Sequence, residues 1–107
     1  MRDLERAKEL LRSGDYTCVL CKDERSYHSK KRGVKPLLEF LESETPFKDF
    51  SAADRVVGAG AAHLYVCLGV KAVFAKVISE SAEKILLENG VSTFYENKVP
   101  QDRKSVV

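Results

Sequence analysis

A chain of 107 residues, 44% apolar and 32% charged, has the size of one domain and the means to fill one modest core. Its net charge of +2 sets up no protein-wide field for a polyanion, so a nucleic-acid reading has to rest on a local patch. The longest apolar stretch, 56–68, is broken by His63 and falls short of the roughly 18 residues of a membrane span, so it reads as a buried helix.

The opening Met1-Arg2-Asp3-Leu4-Glu5-Arg6 lacks the apolar core of a secretory signal. Cys18, Cys21 and Cys67 leave one thiol over in any disulfide scheme. The expectation is reduced thiols in a cytoplasmic protein.

In chain order, Leu4, Ala7, Leu10 and Leu11 recur at helical spacing and predict a helix over 3–13, stopped by Gly14. Residues 16–21 read as a strand, Asp23-Glu24 as a turn and 26–29 as a short return strand. Pro36 suits the first turn of a helix carrying Leu37, Leu38, Phe40 and Leu41. After a polar loop, Ser51 is predicted to begin the most apolar helix, which ends before Gly69. Ala72 to Ile78 is a buried strand. Ser79 or Ser81 caps the next helix, Gly90 stops it, and Val91 to Tyr95 is the last strand. Residues 97–107 are read as a frayed tail.

The unit from 72 to 95 is a strand–helix–strand crossover and should be parallel and right-handed. The fold class predicted for 1–107 is a single α/β domain, three-layer α-β-α, with one mixed sheet of four to five strands.

Three runs carry a family resemblance. They are Arg32-Gly33-Val34-Lys35-Pro36-Leu37-Leu38, the segment Ser51 to Ala62, and Leu68-Gly69-Val70. The most specific part is Asp54-x-Val56-Val57-Gly58-x-x-Ala61-Ala62. Over 16–95 the chain resembles the DUF1893 family, whose function is unassigned. The resemblance implies a cytidine-deaminase-like fold. It also implies a tail with an Asn-Arg pair and a Cys-Pro step, whereas 99–107 here holds no cysteine.

A zinc deaminase holds its metal with a His-x-Glu step at one helix start and Pro-Cys-x-x-Cys at the next, the Glu moving protons to and from the bound water. The predicted helix starts read Ser51-Ala52-Ala53-Asp54 and Ile78-Ser79-Glu80-Ser81-Ala82, without His or Cys. Zinc-dependent deamination is not expected there, and no metal or cofactor is assigned. Elsewhere, Cys18 and Cys21 fall on opposite faces of a strand and cannot easily chelate one ion. His63 and Cys67 form an i, i+4 pair, but His63 is read as a hydrogen-bonded core or interface residue.

Asp54 is the leading candidate, as a carboxylate that grips a ligand or acts as a general base. The bland alternative is a helix cap, since Ser51-x-x-Asp54 has capping-box spacing. Ser51, Ser79, Glu80, Ser81 and Lys35 complete the candidate ligand site, at helix starts and loop junctions where free amides suit an anion. The small run Gly58 to Ala62 reads first as close helix-to-sheet packing. Lys30, Lys31 and Arg32, with His28 and Lys35, form the one basic cluster and the candidate phosphate or nucleic-acid contact. The leading functional reading is a small nucleoside-like or phosphorylated ligand. The alternatives are an RNA- or protein-interaction module on 28–35, and a structural homodimer with a degenerate cleft. No membrane partner is expected.

Overall fold

The computed structural model describes residues 2–31, 33–43 and 46–100. Helix α1 (Arg2–Ser13) buries a stripe of Leu4, Ala7 and Leu11, with Asp3 and Glu5 in its first turn and Arg12 in its last, as the helix dipole favours. Strands β1 (Cys18–Lys22) and β2 (Arg25–Ser29) form a hairpin whose turn residue Asp23 has φ +56°. Two α1 side chains fasten that turn. Asp3 Oδ1 accepts from the Asp23 amide at 3.0 Å, and Arg6 donates to the carbonyls of Asp23 and of Arg25, the latter at 2.7 Å.

The remaining elements are α2 (Lys35–Glu42), β3 (Ser51–Val57), α3 (Ala59–Leu68), β4 (Ala72–Ser79), α4 (Glu80–Glu88) and β5 (Ser92–Val99). The sheet order is β2-β1-β3-β4-β5. β1 is antiparallel to β2 and to β3, and β3, β4 and β5 run parallel. The crossover from β4 through α4 to β5 is parallel, as the sequence predicts.

Two expectations are corrected. Ser51 does not start a helix: Ser51–Val57 is a strand, paired on one side with β1 and on the other with β4. Such a strand is covered on both faces, so its run Ala52-Ala53 shows no apolar–polar alternation and resembles a helix in sequence. Helix α3 begins at Ala59, with Gly58 as its N-cap (φ −99°, ψ −176°). The tail is also shorter than predicted, because β5 pairs with β4 through Ser79↔Val99. Its side chains are mostly exposed, so its polar sequence hides a strand held by the ladder. Residues 101–107 lie outside the described residues.

The sheet divides two apolar layers. On one face α2, α3 and α4 pack Leu37, Ala62, Tyr65 and Leu86 against Leu20, Ala52, Val73 and Ile78. On the other, α1 packs Leu4, Ala7 and Leu11 against Val19, Cys21, Ala53 and Phe74. Each large apolar side chain fully buried in this way contributes about 1.5–3 kcal/mol. The result is a three-layer α-β-α arrangement around a five-stranded mixed sheet.

Candidate functional site

The topology brings three helix starts to one edge of the sheet. β3 and β4 are parallel with Val57 opposite Ile78, so the turns into α3 and α4 leave the same edge. β2 is antiparallel to β1, and β1 to β3, so β2 runs with β3 and α2 also starts there. Ligands of open α/β sheets commonly bind at such a carboxyl edge.

Lys35 is the first residue of α2 and is exposed. Ser79 caps α4, its Oγ accepting from the Ala82 amide at 3.1 Å and lying 3.2 Å from Ser81 Oγ. Glu80 and Ser81 follow in the first turn, both exposed. The structure therefore brings Lys35, Ser79, Glu80 and Ser81 to one edge of the sheet.

It separates Ser51 and Asp54 from them. Ser51 sits six residues before Val57, roughly 20 Å down the strand at about 3.3 Å per residue. It is fully buried, and its Oγ has no hydrogen-bond partner. With Ser51 and Asp54 on a strand, the capping-box reading of the pair falls.

Asp54 lies in the middle of β3, roughly 10 Å below the edge. It is 9% exposed. Its Oδ2 accepts from the Tyr65 hydroxyl at 2.7 Å, and its Oδ1 from the Val56 amide at 3.4 Å. Cys18 on β1, the register partner of Asp54, places Sγ 3.1 Å from the same Tyr65 oxygen. Tyr65 has one proton and gives it to the carboxylate, so the Cys18 thiol is the donor in the second contact. The three side chains form a buried chain from β1 through α3 to β3.

Burial governs the electrostatics of this chain. Desolvation pushes the Asp54 carboxyl up to about 6, against the opposing pull of Tyr65 and the backbone amides. Burial likewise pushes the Cys18 thiol far up, and the neighbouring Asp54 charge adds to it, so the thiol stays protonated. Tyr65 is raised well above its ordinary value, again by burial first and then by Asp54. The only member of the chain that can exchange a proton near neutral pH is Asp54.

Sequence reasoning missed Tyr65. A signal was present: the helix stripe Ala61, Ala62, Tyr65, Leu68 is buried, and a tyrosine on a buried stripe requires a partner for its hydroxyl. His63, read as a core or interface residue, is exposed, and so is Cys67. Cys18 and Cys21 join the two opposite apolar layers, as their strand spacing requires. The close-packing reading of the small run does not hold at Gly60, which is exposed and would meet nothing within 4 Å if it carried a Cβ.

The basic cluster falls at the same sheet edge. Lys30 and Lys31 follow β2, with Lys31 paired to Glu39 of α2. Arg32 lies outside the described residues.

With this geometry in place, the chain can be set against known proteins. The model of a domain of unknown function, DUF1893, matches residues 6–102. The chain belongs to the DUF1893 family. A crystal structure of a DUF1893 family protein from Thermotoga maritima superimposes with a TM-score of 0.81 and 30% identity, over 92% of this chain and 67% of that one. A dCMP deaminase from cyanophage S-TIM5 follows the same fold, with a TM-score of 0.58, 12% identity, and 92% and 94% of the two chains covered. A diaminohydroxyphosphoribosylaminopyrimidine deaminase/reductase from Thermotoga maritima does so with a TM-score of 0.53 and 13% identity, over 89% of this chain and 35% of that one. No curated protein matches the chain.

The deaminase fold raises the question of zinc. With β3 recognised as a strand, the successive helix starts are Val34-Lys35-Pro36, Gly58 to Ala62, and Ser79 to Ala82. None carries a His or Cys, so this DUF1893 chain lacks the donor set at every one of them. Among the described residues no group of three or more His, Cys, Asp or Glu side chains is placed to hold a metal ion. The residues present do not fit a deaminase zinc. No helix among the described residues is long and apolar enough to cross a membrane.

Proposed function

We propose that this protein is a zinc-independent, ligand-binding member of the deaminase fold, and that its ligand is a small nucleoside-like or phosphorylated molecule. The observation that carries this reading is Asp54. A carboxyl buried to 9% exposure and held near 6 opposes folding at neutral pH, and apolar residues of similar size would fill the space without that cost. Strongly perturbed buried groups of this kind concentrate at functional sites. The fold relatives named for dCMP and for a phosphoribosyl-pyrimidine support the ligand class. Lys35, Ser79, Glu80 and Ser81 are the groups assigned to the ligand at the sheet edge, and Asp54, closed to solvent below them, holds α3 against the sheet through Tyr65 rather than touching the ligand. The same reading places the chain in a reducing cytoplasm, in keeping with three free cysteines, two of them buried.

The test is a thermal-shift titration with dCMP, ribose 5-phosphate and inorganic phosphate, on the wild-type chain and on Asp54→Asn. A ligand in hundredfold excess over Kd stabilises by about 2.7 kcal/mol, enough for a clear rise in Tm. Tyr65 can still donate to the amide oxygen of the variant, so Asp54→Asn is expected to fold and to lose the ligand-dependent rise. A rise of equal size in both proteins, or no rise with any of the three compounds, overturns the reading.

A further inference from the structure

A second surface lies at the edge where β1 begins and β2 and β3 end, and it does not depend on the ligand reading. The sequence there shows lysines but no visible aromatic platform. The fold builds one by bringing together two residues that are 12 positions apart. Tyr16, just before β1, and His28, near the end of β2, stack with ring centroids 4.1 Å apart and planes inclined by 26°. His28 is exposed on an edge strand. Lys30 places its Nζ 5.9 Å from the centre of the Tyr16 ring.

Backbone contacts frame this platform. The Tyr16 ring lies over Gly14, where an added Cβ would come within 2.4 Å of it, so any larger residue at 14 would displace the ring from this place. Thr17 fixes the strand ends, its amide donating to the Ser29 carbonyl at 2.8 Å and its hydroxyl to that of Lys31 at 2.6 Å. Arg55 of β3 closes the other side, with Nε donating to the Tyr16 carbonyl at 2.9 Å. Lys30, the stacked rings and Arg55 therefore form a strip. One carboxylate tempers it, Asp15 at 3.5 Å from Arg55, while Lys31 turns to Glu39 of α2. Lys30 pairs with no carboxylate among the described residues.

We propose that this strip binds a single-stranded polynucleotide, with one base stacked on His28 and the flanking phosphates against Lys30 and Arg55. Stacked rings beside spaced cations match what such a strand offers, namely π-faces alternating with charges. An acidic peptide would use the cations and leave the rings idle.

The experiment is fluorescence anisotropy of a short labelled oligo(U) RNA and an oligo(dT) DNA on the full chain, at low and raised salt. Both strands are expected to bind, with an affinity that falls with salt at a log–log slope of about −1.4 for roughly two phosphate contacts. His28→Ala is expected to weaken binding at least about fivefold, whereas His28→Phe retains it. Lys30→Glu, fully on the surface, weakens both strands alike. Tighter binding of one strand assigns the sugar preference within the proposal. Absence of binding at low salt overturns it. So does an affinity untouched by both His28→Ala and Lys30→Glu, or an oligoglutamate peptide that binds as tightly as the nucleic acids.

Discussion

Tyr65 on α3 and Asp54 on β3 are joined by a 2.7 Å hydrogen bond that ties the helix layer to the sheet at a point closed to solvent. Cys18 completes the contact from β1. These three residues lie on three elements, and each has its polar atom satisfied by another.

Removing the phenolic hydroxyl leaves the carboxyl buried with only the backbone amides of Val56 and Arg55 to oppose its desolvation. Tyr65→Phe is therefore expected to lower stability by about 1–3 kcal/mol, the usual cost of an unsatisfied buried polar group. Urea unfolding at neutral pH measures it. A midpoint equal to that of the wild type would mean that water replaces the hydroxyl at Asp54.

The pH dependence follows from the same carboxyl. Its folded-state value of about 6 exceeds the ordinary 3.8, so the folded chain holds this proton more tightly than the unfolded chain. The Asp54 contribution to stability is thus fully present below about pH 4 and is lost as the pH rises through about 6. The difference amounts to about 3 kcal/mol, at 1.36 kcal/mol per pH unit. Relative to Asp54→Asn, which does not titrate, the wild type should lose about that much between pH 4 and 7. Parallel urea titrations of the two proteins across this range check it, and curves that stay parallel would sink the assignment.

Gly60 occupies the first turn of α3 with open space where a side chain would stand. Glycine in a helix costs about 0.5–1 kcal/mol relative to alanine. Gly60→Ala should accordingly raise Tm. Thermal unfolding gives the answer, and a lower Tm would reveal a steric demand at this position.

Much of the fold was legible because its signals are local. The α1 stripe, the hairpin turn at Asp23-Glu24, Pro36 at the start of α2 and Ser79 at the cap of α4 each act over a few residues. β3 was not legible, because Ser51 to Val57 runs into Gly58 to Leu68 with no polar interruption beyond Asp54-Arg55 and His63, none of them at the strand–helix boundary, and a strand buried on both faces has no period of two to detect. The error carried Asp54 onto a helix and suggested a cap that does not exist. The partners of Asp54 were out of reach for a different reason. Cys18 and Tyr65 approach it only through the antiparallel pairing of β1 with β3 and the packing of α3, which no spacing in the chain encodes. The helix-start positions of Ser79 to Ser81 and Lys35 were legible, since they are marked by their own capping and proline signals.

Because β3 pairs with β1 on one side and β4 on the other, it is the seam between the first half of the chain and the second. The pairing of β1 with β3 runs over Cys18↔Asp54 to Cys21↔Ser51. Small apolar residues such as Ala52 and Ala53 would tolerate a shifted alignment with little steric protest. A slip by one residue would turn Cys18 to the opposite face and set Val19 against the Asp54–Tyr65 pair. The buried polar chain thus proofreads the joining of the two halves: only one alignment lets all three of its members find each other.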